Sequence, residues 1–342
     1  MLKKYSLENK IIKLVSTHRD RGILQSRIVS DLGYSRSYIS ETLKSMVERG
    51  ILKRELDNPF QYRIYLTEEH KKKNFGFTVG SLISSEYIFA IAAIRKAARK
   101  VGVNAKFKVY KNTTKLNSDA IAGKIQVMLS PTLSQLAMSI SSDSISMLRP
   151  IATGGSCIIE NTRSENNLNL SSSSSTMILM MKKFLGGSIK SEIRRMDDAS
   201  KSLELVRNGN FRRIAIWEPY ASNLLQDENC TVIASYSDLL GEFPCCFLCA
   251  THEFEQKMPG TVSAICNFYD EQRESNDISD GDVRWAINFI SVKTGIDEGL
   301  VEKSLDNYNF KIHYSREKLL SFIEDVKMYL TTDQVESLLG KD

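Results

Sequence analysis

The first 66 residues combine a helical spacing of apolar positions with a short stretch of strict alternation. The helical spacing predicts a first helix that ends before the turn at 18–22, through Leu7, Ile11, Ile12, Leu14 and Val15. A second helix is predicted from about Gln25 to Leu32, and a third follows Ser35, a good N-cap, and ends at Gly50. The segments ILKREL and QYRIYL then alternate around a turn at 57–59, which predicts a hairpin of two strands.

The segment LGYSRSYISETLKSMVERGILKRE resembles the recognition helix and wing of winged helix-turn-helix regulators of the MarR type. The resemblance covers residues 1–70 and implies that the third helix enters the major groove of a double-stranded DNA operator. It implies base contacts by Ser35, Arg36, Ser37, Tyr38 and Ser40, and phosphate contacts by Lys44, Lys53, Arg54 and Arg63. A winged helix that docks on protein is the alternative.

The uneven distribution of charge favours the DNA-binding interpretation. Residues 1–73 hold 16 Lys and Arg against 9 Asp and Glu, whereas the other residues hold 30 against 32. All of the excess positive charge therefore lies in the first fifth of the chain, which predicts a basic module that meets a polyanion.

Beyond a predicted linker at 71–74, strand-like and helix-like segments alternate along the chain. FGFTVG, AKFKVY and IQVMLS are typical of strands, and the helix after the first strand is predicted over SLISSEYIFAIAAIRKAARKVG. This alternation predicts an α/β fold with a largely parallel sheet and crossover helices.

Several of these segments resemble type II periplasmic binding proteins, in the branch that binds nitrate, sulfonates, taurine or the thiamine-precursor pyrimidine. The resemblance rests on GKIQVMLSPTLSQLAMS, SMLRPIATGG, SSSSSTMILMMKKFLGG and LELVRNGNFRRIAIWEPYASNLL. It implies a two-lobed ligand-binding domain over 75–342, with the second lobe at roughly 158–250 and the ligand clamped between the lobes.

The same resemblance implies ligand contacts at strand ends and helix starts, where free backbone N–H groups lie. The implied residues are Ser81, Ser84, Ser85, Ser130, Thr132, Gly154, Gly155, Ser156, Ser173, Ser174, Ser175, Thr176, Trp217, Glu218 and Tyr220. For the serine run 171–175, a flexible low-complexity loop is the alternative.

The segment IAIWEPY combines a buried strand, a turn and a helix start, and it delivers Trp217, Glu218 and Tyr220 to the end of a strand. A carboxylate facing the cleft would favour an aminopyrimidine or an amine, whereas a sulfonate would need a compensating cation. Alternatively, Glu218 pairs with Arg212 or Arg213 outside the pocket.

The segment PCCFLC partly resembles the CCCFC motif that fungal thiamine-pyrimidine synthases use with iron. If the segment is extended, Cys245 and Cys249 share one face of a strand and Cys246 lies on the other, which is a poor metal cage. Buried thiols are the preferred interpretation, so we expect no metal and no cofactor. No catalytic constellation is evident among the four histidines, so we expect no enzyme.

Taken together, these patterns predict a one-component transcription regulator whose small-molecule effector changes operator binding by a homodimer. The N-terminal segment MLKKYSLENK lacks the apolar core of a signal peptide, so the sequence predicts a cytoplasmic protein without a membrane partner or an uptake role. An enzyme of thiamine-pyrimidine precursor synthesis and a ligand sensor that docks on protein are the alternatives.

Overall fold

The computed structural model describes residues 2–18, 21–67, 76–173, 175–186 and 192–312. The chain divides into two compact units, Met1–Gly76 with Arg99–Asn104 and Phe77–Ala98 with Ala105–Asp342. The predicted linker 71–74 and the predicted ligand residue Ser174 lie outside the described residues. Within those described ranges, no helix is both long and apolar enough to cross a lipid bilayer.

The described residues of the N-terminal unit form three helices up to Leu66 and a three-stranded antiparallel sheet. The helices are α1 (Leu2–Thr17), α2 (Gln25–Leu32) and α3 (Arg36–Glu48), and the strands, in the order β1-β3-β2, are β1 (Ile23–Leu24), β2 (Leu52–Asn58) and β3 (Gln61–Leu66). Helix α2 ends at Gly33, whose φ of 67° suits glycine. Helix α3 begins where Ser35 Oγ accepts a hydrogen bond of 3.4 Å from the Tyr38 backbone N–H. The sequence therefore predicted α1, α2, α3 and both hairpin strands.

One apolar face of each helix in this unit packs on the sheet. The fully buried side chains recur at helical spacing in α1 and α3 and alternate in β3, and they include Leu7, Ile11, Ile28, Ile39, Leu43, Met46 and Ile64. Their burial supplies the main free energy that holds these short elements together, because isolated helices of this length are marginal in water.

Among the residues of the second unit that the structure describes, there are two five-stranded mixed sheets, each flanked by helices, and one two-stranded sheet. The first sheet has the order β5-β4-β6-β14-β7, with β4 (Gly76–Ser81), β5 (Asn104–Val109), β6 (Val127–Pro131), β7 (Ile145–Pro150) and β14 (Cys246–Thr251). Strand β4 runs parallel to β6, whereas β14 is antiparallel to both β6 and β7. The expectation of a largely parallel sheet was thus wrong for β14, which the chain adds to this sheet only after it has formed the second sheet.

The second sheet has the order β11-β10-β12-β9-β13, with β9 (Ser156–Asn161), β10 (Asn169–Ser171), β11 (Ile193–Arg195), β12 (Arg213–Trp217) and β13 (Cys230–Ser235). Strand β10 is parallel to β11 and β12, and β9 is antiparallel to β12 and β13. We refer to the two sheets with their helices as the first lobe and the second lobe. Strand β14 belongs to the first, so the predicted second lobe of 158–250 extends too far.

The helices of this unit connect the strands and then cover the first lobe. They are α4 (Ile88–Val101), α5 (Thr113–Ile121), α6 (Thr132–Ser142), α7 (Thr176–Phe184), α8 (Ala199–Arg207), α9 (Tyr220–Leu224), α10 (Tyr236–Leu240), α11 (His252–Lys257), α12 (Pro259–Ser275), α13 (Gly281–Thr294) and α14 (Glu298–Lys303). The first helix after β4 begins later than predicted, because residues 82–84 form a loop and Ser85–Tyr87 form a 3₁₀ turn. This delay brings Glu86 and Tyr87 to the end of the sheet.

Within residues 76–312, as far as they are described, the chain passes between the lobes in two segments, 151–155 outward and 241–245 on the return. The outward segment is held by a short ladder between β8 (Thr153–Gly154) and β15 (Tyr308–Asn309). At Gly155 the φ is +62°, and a Cβ atom would lie 1.8 Å from the Tyr308 ring, so only glycine fits without displacing that ring. The two segments together form the connection about which the lobes could hinge.

Candidate functional site

A cavity of about 400 Å³ lies between the two lobes of the second unit. Its walls are the loops that follow β4, β5 and β6 in the first lobe and β10, β11 and β12 in the second lobe. Loops at the carboxyl ends of parallel strands are the usual ligand site of open α/β sheets. The wall residues include Ser84, Glu86, Tyr87, Tyr110, Lys111, Asn112, Thr113, Ser172, Ser175, Thr176, Asp197, Asp198, Ser200, Trp217, Tyr220, Cys245, Cys246 and Lys293.

Trp217 and Tyr220 form an aromatic corner at the second-lobe side of the cavity. Their ring centroids are 5.7 Å apart with the planes at 85°, an edge-to-face arrangement. Trp217 Nε1 donates a hydrogen bond of 2.7 Å to the Ile83 carbonyl, which belongs to the first lobe. Burial raises the pKa of Tyr220 to about 12, so its hydroxyl stays neutral at physiological pH. The corner therefore offers π surface and a hydroxyl, and it also links the lobes.

Glu218 does not line the cavity, which corrects the expectation that its carboxylate faces the cleft. The side chain is only 3% exposed and accepts hydrogen bonds from Ser222 N (2.9 Å), Ser222 Oγ (2.9 Å) and Asn307 Nδ2 (2.7 Å). Burial raises the pKa of Glu218, although these hydrogen bonds oppose the shift. The alternative partners were wrong as well, because Arg212 and Arg213 both pair with Glu160. Glu218 thus stabilises the segment that carries Trp217 and Tyr220, on the side away from the cavity.

An ion pair crosses the mouth of the cavity. Lys111 Nζ, in the loop after β5, lies 3.0 Å from Asp198 Oδ2, which precedes α8 in the other lobe. The hydrogen bond from Lys111, followed by that from the Lys201 backbone N–H, lowers the pKa of Asp198. Among the described wall residues, Lys293 is the other cation and no arginine is present. The cavity therefore holds little fixed positive charge for a strong anion.

Three of the hydroxyl residues expected at the site do line the cavity, and each has a structural partner. Ser84 Oγ lies 3.2 Å from the Glu218 carbonyl and 3.0 Å from the Tyr308 hydroxyl. Ser175 caps α7 by accepting from the Met177 N–H at 3.2 Å, and Thr176 Oγ1 lies 3.1 Å from Cys245 Sγ. With Trp217 and Tyr220, they are the predicted ligand residues that the structure brings together.

The other described residues expected to bind ligand lie around the cavity rather than on its wall. Ser85 accepts from Ser304 Oγ at 2.8 Å, Thr132 Oγ1 donates to the Pro244 carbonyl at 2.7 Å, and the Ser173 N–H donates to Asp197 Oδ1 at 2.8 Å. Ser130 accepts a hydrogen bond from Gln135, and Ser156 is hydrogen-bonded to Cys245. The Oγ atom of Ser81 is buried and has no hydrogen-bond partner. Gly154 and Gly155 belong to the outward segment between the lobes. These residues shape the hinge and the strand ends.

Sequence reasoning missed the residues that bring aromatic, acidic and thiol groups to the cavity. Glu86 and Tyr87 were assigned to a helix interior, although the Ser84 side chain accepts from the Glu86 N–H and starts a new turn there. Asn112 could have been found, because it is a good N-cap and caps α5 by accepting from the Lys115 N–H at 2.9 Å. Cys245 and Cys246 were considered, but as packed thiols.

The residues expected to contact DNA lie on α3 and the β2–β3 hairpin of the N-terminal unit. Arg36, Ser37 and Lys44 are exposed, Tyr38 is half-buried against the core, and Ser40 accepts a 3.1 Å hydrogen bond from Gln25. In the hairpin, Lys53 pairs with Glu55 and Arg63 pairs with Asp57, both at 2.8 Å, while Arg54 lies over the Tyr62 ring. Much of the basic charge of the hairpin is thus engaged locally.

Solved structures with a similar fold cover about three quarters of the chain. No protein-family model and no curated protein sequence matches the chain. The ligand-binding component of an ABC-type import system from Staphylococcus aureus, solved with zinc bound, has a TM-score of 0.63 at 11% identity and covers 74% of this chain and 91% of its own. The alkanesulfonate-binding protein SsuA from Xanthomonas axonopodis, bound to MOPS, has a TM-score of 0.58 at 12% identity and covers 75% of this chain and 93% of its own. The periplasmic nitrate-binding protein NrtA from Synechocystis has a TM-score of 0.60 at 10% identity and covers 77% of this chain and 84% of its own.

These similarities establish a periplasmic-binding-protein-like fold and overturn several predictions. One neighbour is described as the ligand-binding component of an import system and others as sulfonate-binding or nitrate-binding proteins, two of them periplasmic, so the predictions of a transcription regulator, a DNA operator partner and a cytoplasmic location were wrong. The predicted homodimer was inferred from two-fold operators, so it fails together with the DNA partner. The predictions that the protein has no membrane partner and no uptake role were wrong for the same reason. The prediction that the chain is not an enzyme is confirmed by the same neighbours, which are binding proteins.

Proposed function

We propose that residues 75–342 form a ligand-binding protein of the solute-capturing type, which encloses one small molecule between its lobes as part of an uptake system. The observation that carries this proposal is a cavity lined by strand ends of both sheets, in a chain that crosses between the lobes only twice in the described residues. This geometry lets binding energy couple to lobe closure. The functions of the neighbours support the same class.

The ligand that best matches the cavity is a planar ring compound of low net charge, such as an aminopyrimidine. Trp217 and Tyr220 supply π surface, and the serine and threonine hydroxyls supply short-range polar contacts. A sulfonate or nitrate is less well matched, since the Lys111 charge is already paired with Asp198 and no arginine lines the described wall. The volume of about 400 Å³ is in the ordinary range for small-ligand sites.

Native mass spectrometry of the purified chain, followed by titration calorimetry with candidate compounds, tests this assignment. The candidates are an aminopyrimidine, a primary amine, taurine and nitrate. We expect the ring compound to bind with the highest affinity, and Trp217→Ala to abolish that binding. The matched control is Trp285→Phe, because Trp285 stacks on Phe289 outside the cavity wall. Tighter binding of nitrate or taurine than of any ring compound would overturn the ligand class.

The direct contacts are proposed to come from Ser84, Ser175, Thr176, Trp217 and Tyr220, with Asn112 and Tyr87 added from the structure. Ser81, Ser85, Ser130, Thr132, Gly154, Gly155, Ser156, Ser173 and Glu218 are proposed to act indirectly, by holding the loops that carry those contacts. Alanine scanning by calorimetry separates the two groups. Alanine substitutions of direct contacts should weaken binding and leave the melting temperature unchanged. Thr132→Ala should instead lower the melting temperature, because it removes a hydrogen bond that holds the loop.

For residues 1–70 we propose a winged-helix fold as a separate domain. The proposal is supported by the order of three helices and a hairpin and by the sheet order β1-β3-β2 around one apolar core. Amide hydrogen exchange at single-residue resolution tests it. Protection confined to the three helices and both hairpin strands is expected, and protection across the hairpin turn at 57–60 as strong as in the helices would contradict it.

A further inference from the structure

Two thiols and a carboxyl group meet in the cavity wall where the returning segment enters the first lobe. Cys245 ends that segment, Cys246 begins β14, and Glu86 lies in the 3₁₀ turn before α4. Their potential ligand atoms, two sulfurs and one carboxylate oxygen, lie within 4.8 Å of one another. The side chains are 4%, 3% and 2% exposed, and within the described ranges no other group of three His, Cys, Asp or Glu residues has this arrangement.

The pairing of the two cysteines differs from the sequence expectation. In a regular strand Cys246 would point away from Cys245, but β14 begins only at Cys246, so Cys245 is free of the strand alternation and their thiols are hydrogen-bonded. Cys249 lies on the other face of β14 and packs in an apolar cluster that includes Met128 and Phe247. The third cysteine of PCCFLC therefore takes no part in the group.

The polar atoms of this group are incompletely satisfied. Cys245 Sγ lies 3.1 Å from Thr176 Oγ1, and Cys246 Sγ lies 3.2 Å from the Tyr87 hydroxyl. By contrast, Glu86 Oε1 is buried and has no hydrogen-bond partner, and the buried Tyr236 hydroxyl near the group has none either. A buried carboxyl oxygen without a partner costs about 1–3 kcal/mol, more when charged, so its retention in a cavity wall calls for a ligand.

The charged side chains of the described cavity wall are mainly acidic. Glu86, Asp197 and Asp198 line it against Lys111 and Lys293. A divalent cation held by the two cysteines and Glu86 would therefore add positive charge to a wall that has little of it.

We propose that Cys245, Cys246 and Glu86 bind a zinc ion in the cavity wall. Zinc accepts sulfur at about 2.3 Å and carboxylate oxygen at about 2.0–2.2 Å, usually in a tetrahedron. Ligand atoms around such an ion are separated by about 3.5–3.8 Å, so shifts of about 1 Å close the group on the metal. Two thiols select a thiophilic ion over magnesium or calcium, which prefer oxygen ligands. Binding releases the thiol protons and any proton on Glu86 to solvent.

With three protein ligands, the fourth position of the metal faces the cavity. Two thiolates and one carboxylate on a divalent ion leave a net charge of −1, so the open position favours a neutral donor such as a ring nitrogen over an anion. This part of the inference rests on the proposed function, since it names how the ring ligand would be held. Metal binding itself does not depend on it and is measured without any organic ligand.

The test uses the full chain, reduced and stripped of metal, with Zn²⁺ alone as the probe. Competition with a chromogenic chelator should give one tight zinc per chain, and Co²⁺ should give the near-ultraviolet charge-transfer absorption of thiolate ligation. Cys246→Ala and Glu86→Gln should each weaken zinc binding by at least about 100-fold, the upper end of what loss of an outer-shell partner costs. Affinity should rise with pH, because the ligands must lose protons.

The matched control is Cys249→Ala, which removes a buried thiol of the same strand outside the group. It should keep zinc affinity and the cobalt spectrum, and melting curves establish that each variant is folded. The proposal is overturned if the parent binds no zinc, or if Glu86→Gln and Cys246→Ala bind it as well as the parent does. Absence of zinc binding with intact binding of a ring compound would remove the metal site and leave the proposed function standing.

Discussion

The Nζ atom of Lys111 lies 3.0 Å from Oδ2 of Asp198, and this ion pair joins the rims of the two lobes across the mouth of the cavity. Both side chains remain accessible to solvent, with Lys111 81% exposed. Such pairs contribute little to stability, typically about 0.2–1 kcal/mol, and they weaken with salt. The pair therefore biases the lobes toward closure without locking them.

Replacing Lys111 by Met should shift the lobes toward the open state by up to about 5-fold, because about 1 kcal/mol is lost at most. In a Trp285→Phe background, Trp217 is the remaining tryptophan and reports opening through stronger quenching by acrylamide. The control is Lys108→Met, since Lys108 pairs with Asp119 within the first lobe. Equal quenching in both variants would argue against a role for the pair in closure.

Trp217→Phe should weaken ligand binding by about 2- to 13-fold, the equivalent of about 0.5–1.5 kcal/mol for one hydrogen bond. The substitution keeps an aromatic ring but removes the Nε1–H that donates to the Ile83 carbonyl in the other lobe. Calorimetry with the ligand identified by mass spectrometry measures the change. Unaltered affinity would show that the interlobe hydrogen bond does not contribute to closure.

Glu86→Gln should flatten the pH dependence of stability in the metal-free protein. Burial raises the folded-state pKa of Glu86 above 4.5, so the native state retains a proton that the unfolded chain has lost. The parent therefore loses stability as pH rises from about 4.5 toward the folded-state pKa, by up to about 1.4 kcal/mol per pH unit. Urea unfolding of both proteins across this interval measures the difference, and parallel pH profiles would contradict the assignment.

Gly155→Ala should destabilise the second unit by about 2–5 kcal/mol, because the added methyl group must displace the Tyr308 ring and the φ is positive. Gly241 on the returning segment provides the comparison, since its φ is also positive but a Cβ atom there would have no neighbouring atom within 4 Å. Gly241→Ala should cost about 1–3 kcal/mol, from backbone strain alone. Thermal unfolding compares the two, and a larger loss at Gly241 would contradict the contact argument.

Leu43→Ala should lower the unfolding free energy of the N-terminal unit by about 2–5 kcal/mol, because Leu43 is 1% exposed at the centre of its core. Leu56 in the hairpin is 63% exposed, so Leu56→Ala should change stability by no more than about 0.5 kcal/mol. Hydrogen exchange of the α1 amides measures the local unfolding free energy. Similar losses for both variants would contradict the assignment of the core.

The sequence predicted best the elements that local chemistry determines. The apolar spacing from Leu7 to Met46 and the caps at Gly33 and Ser35 placed three helices, and IAIWEPY placed a strand, a turn and a helix start at the cavity. These features depend on near neighbours in the chain, so their signals lie within a few residues of each other.

The arrangement of the site was harder to predict, because it depends on distant residues. Nothing near Glu218 in sequence indicates Asn307, which occupies its carboxylate, and nothing near Glu86 indicates Cys246, 160 residues away along the chain. The assignment of function was wrong for a different reason. It was taken from the resemblance of residues 1–70 to winged helix-turn-helix regulators and from the positive charge of residues 1–73, whereas the structures with a similar fold are of binding proteins.

The returning segment ends at Cys245, a residue of the cavity wall, and Cys246 follows it at the start of β14. In such a protein no intermediate element has to transmit a change from the binding site to the hinge, because the same residues belong to both. Ligand binding and lobe closure are then directly coupled, and closure strengthens ligand binding by the same free energy with which the ligand favours closure.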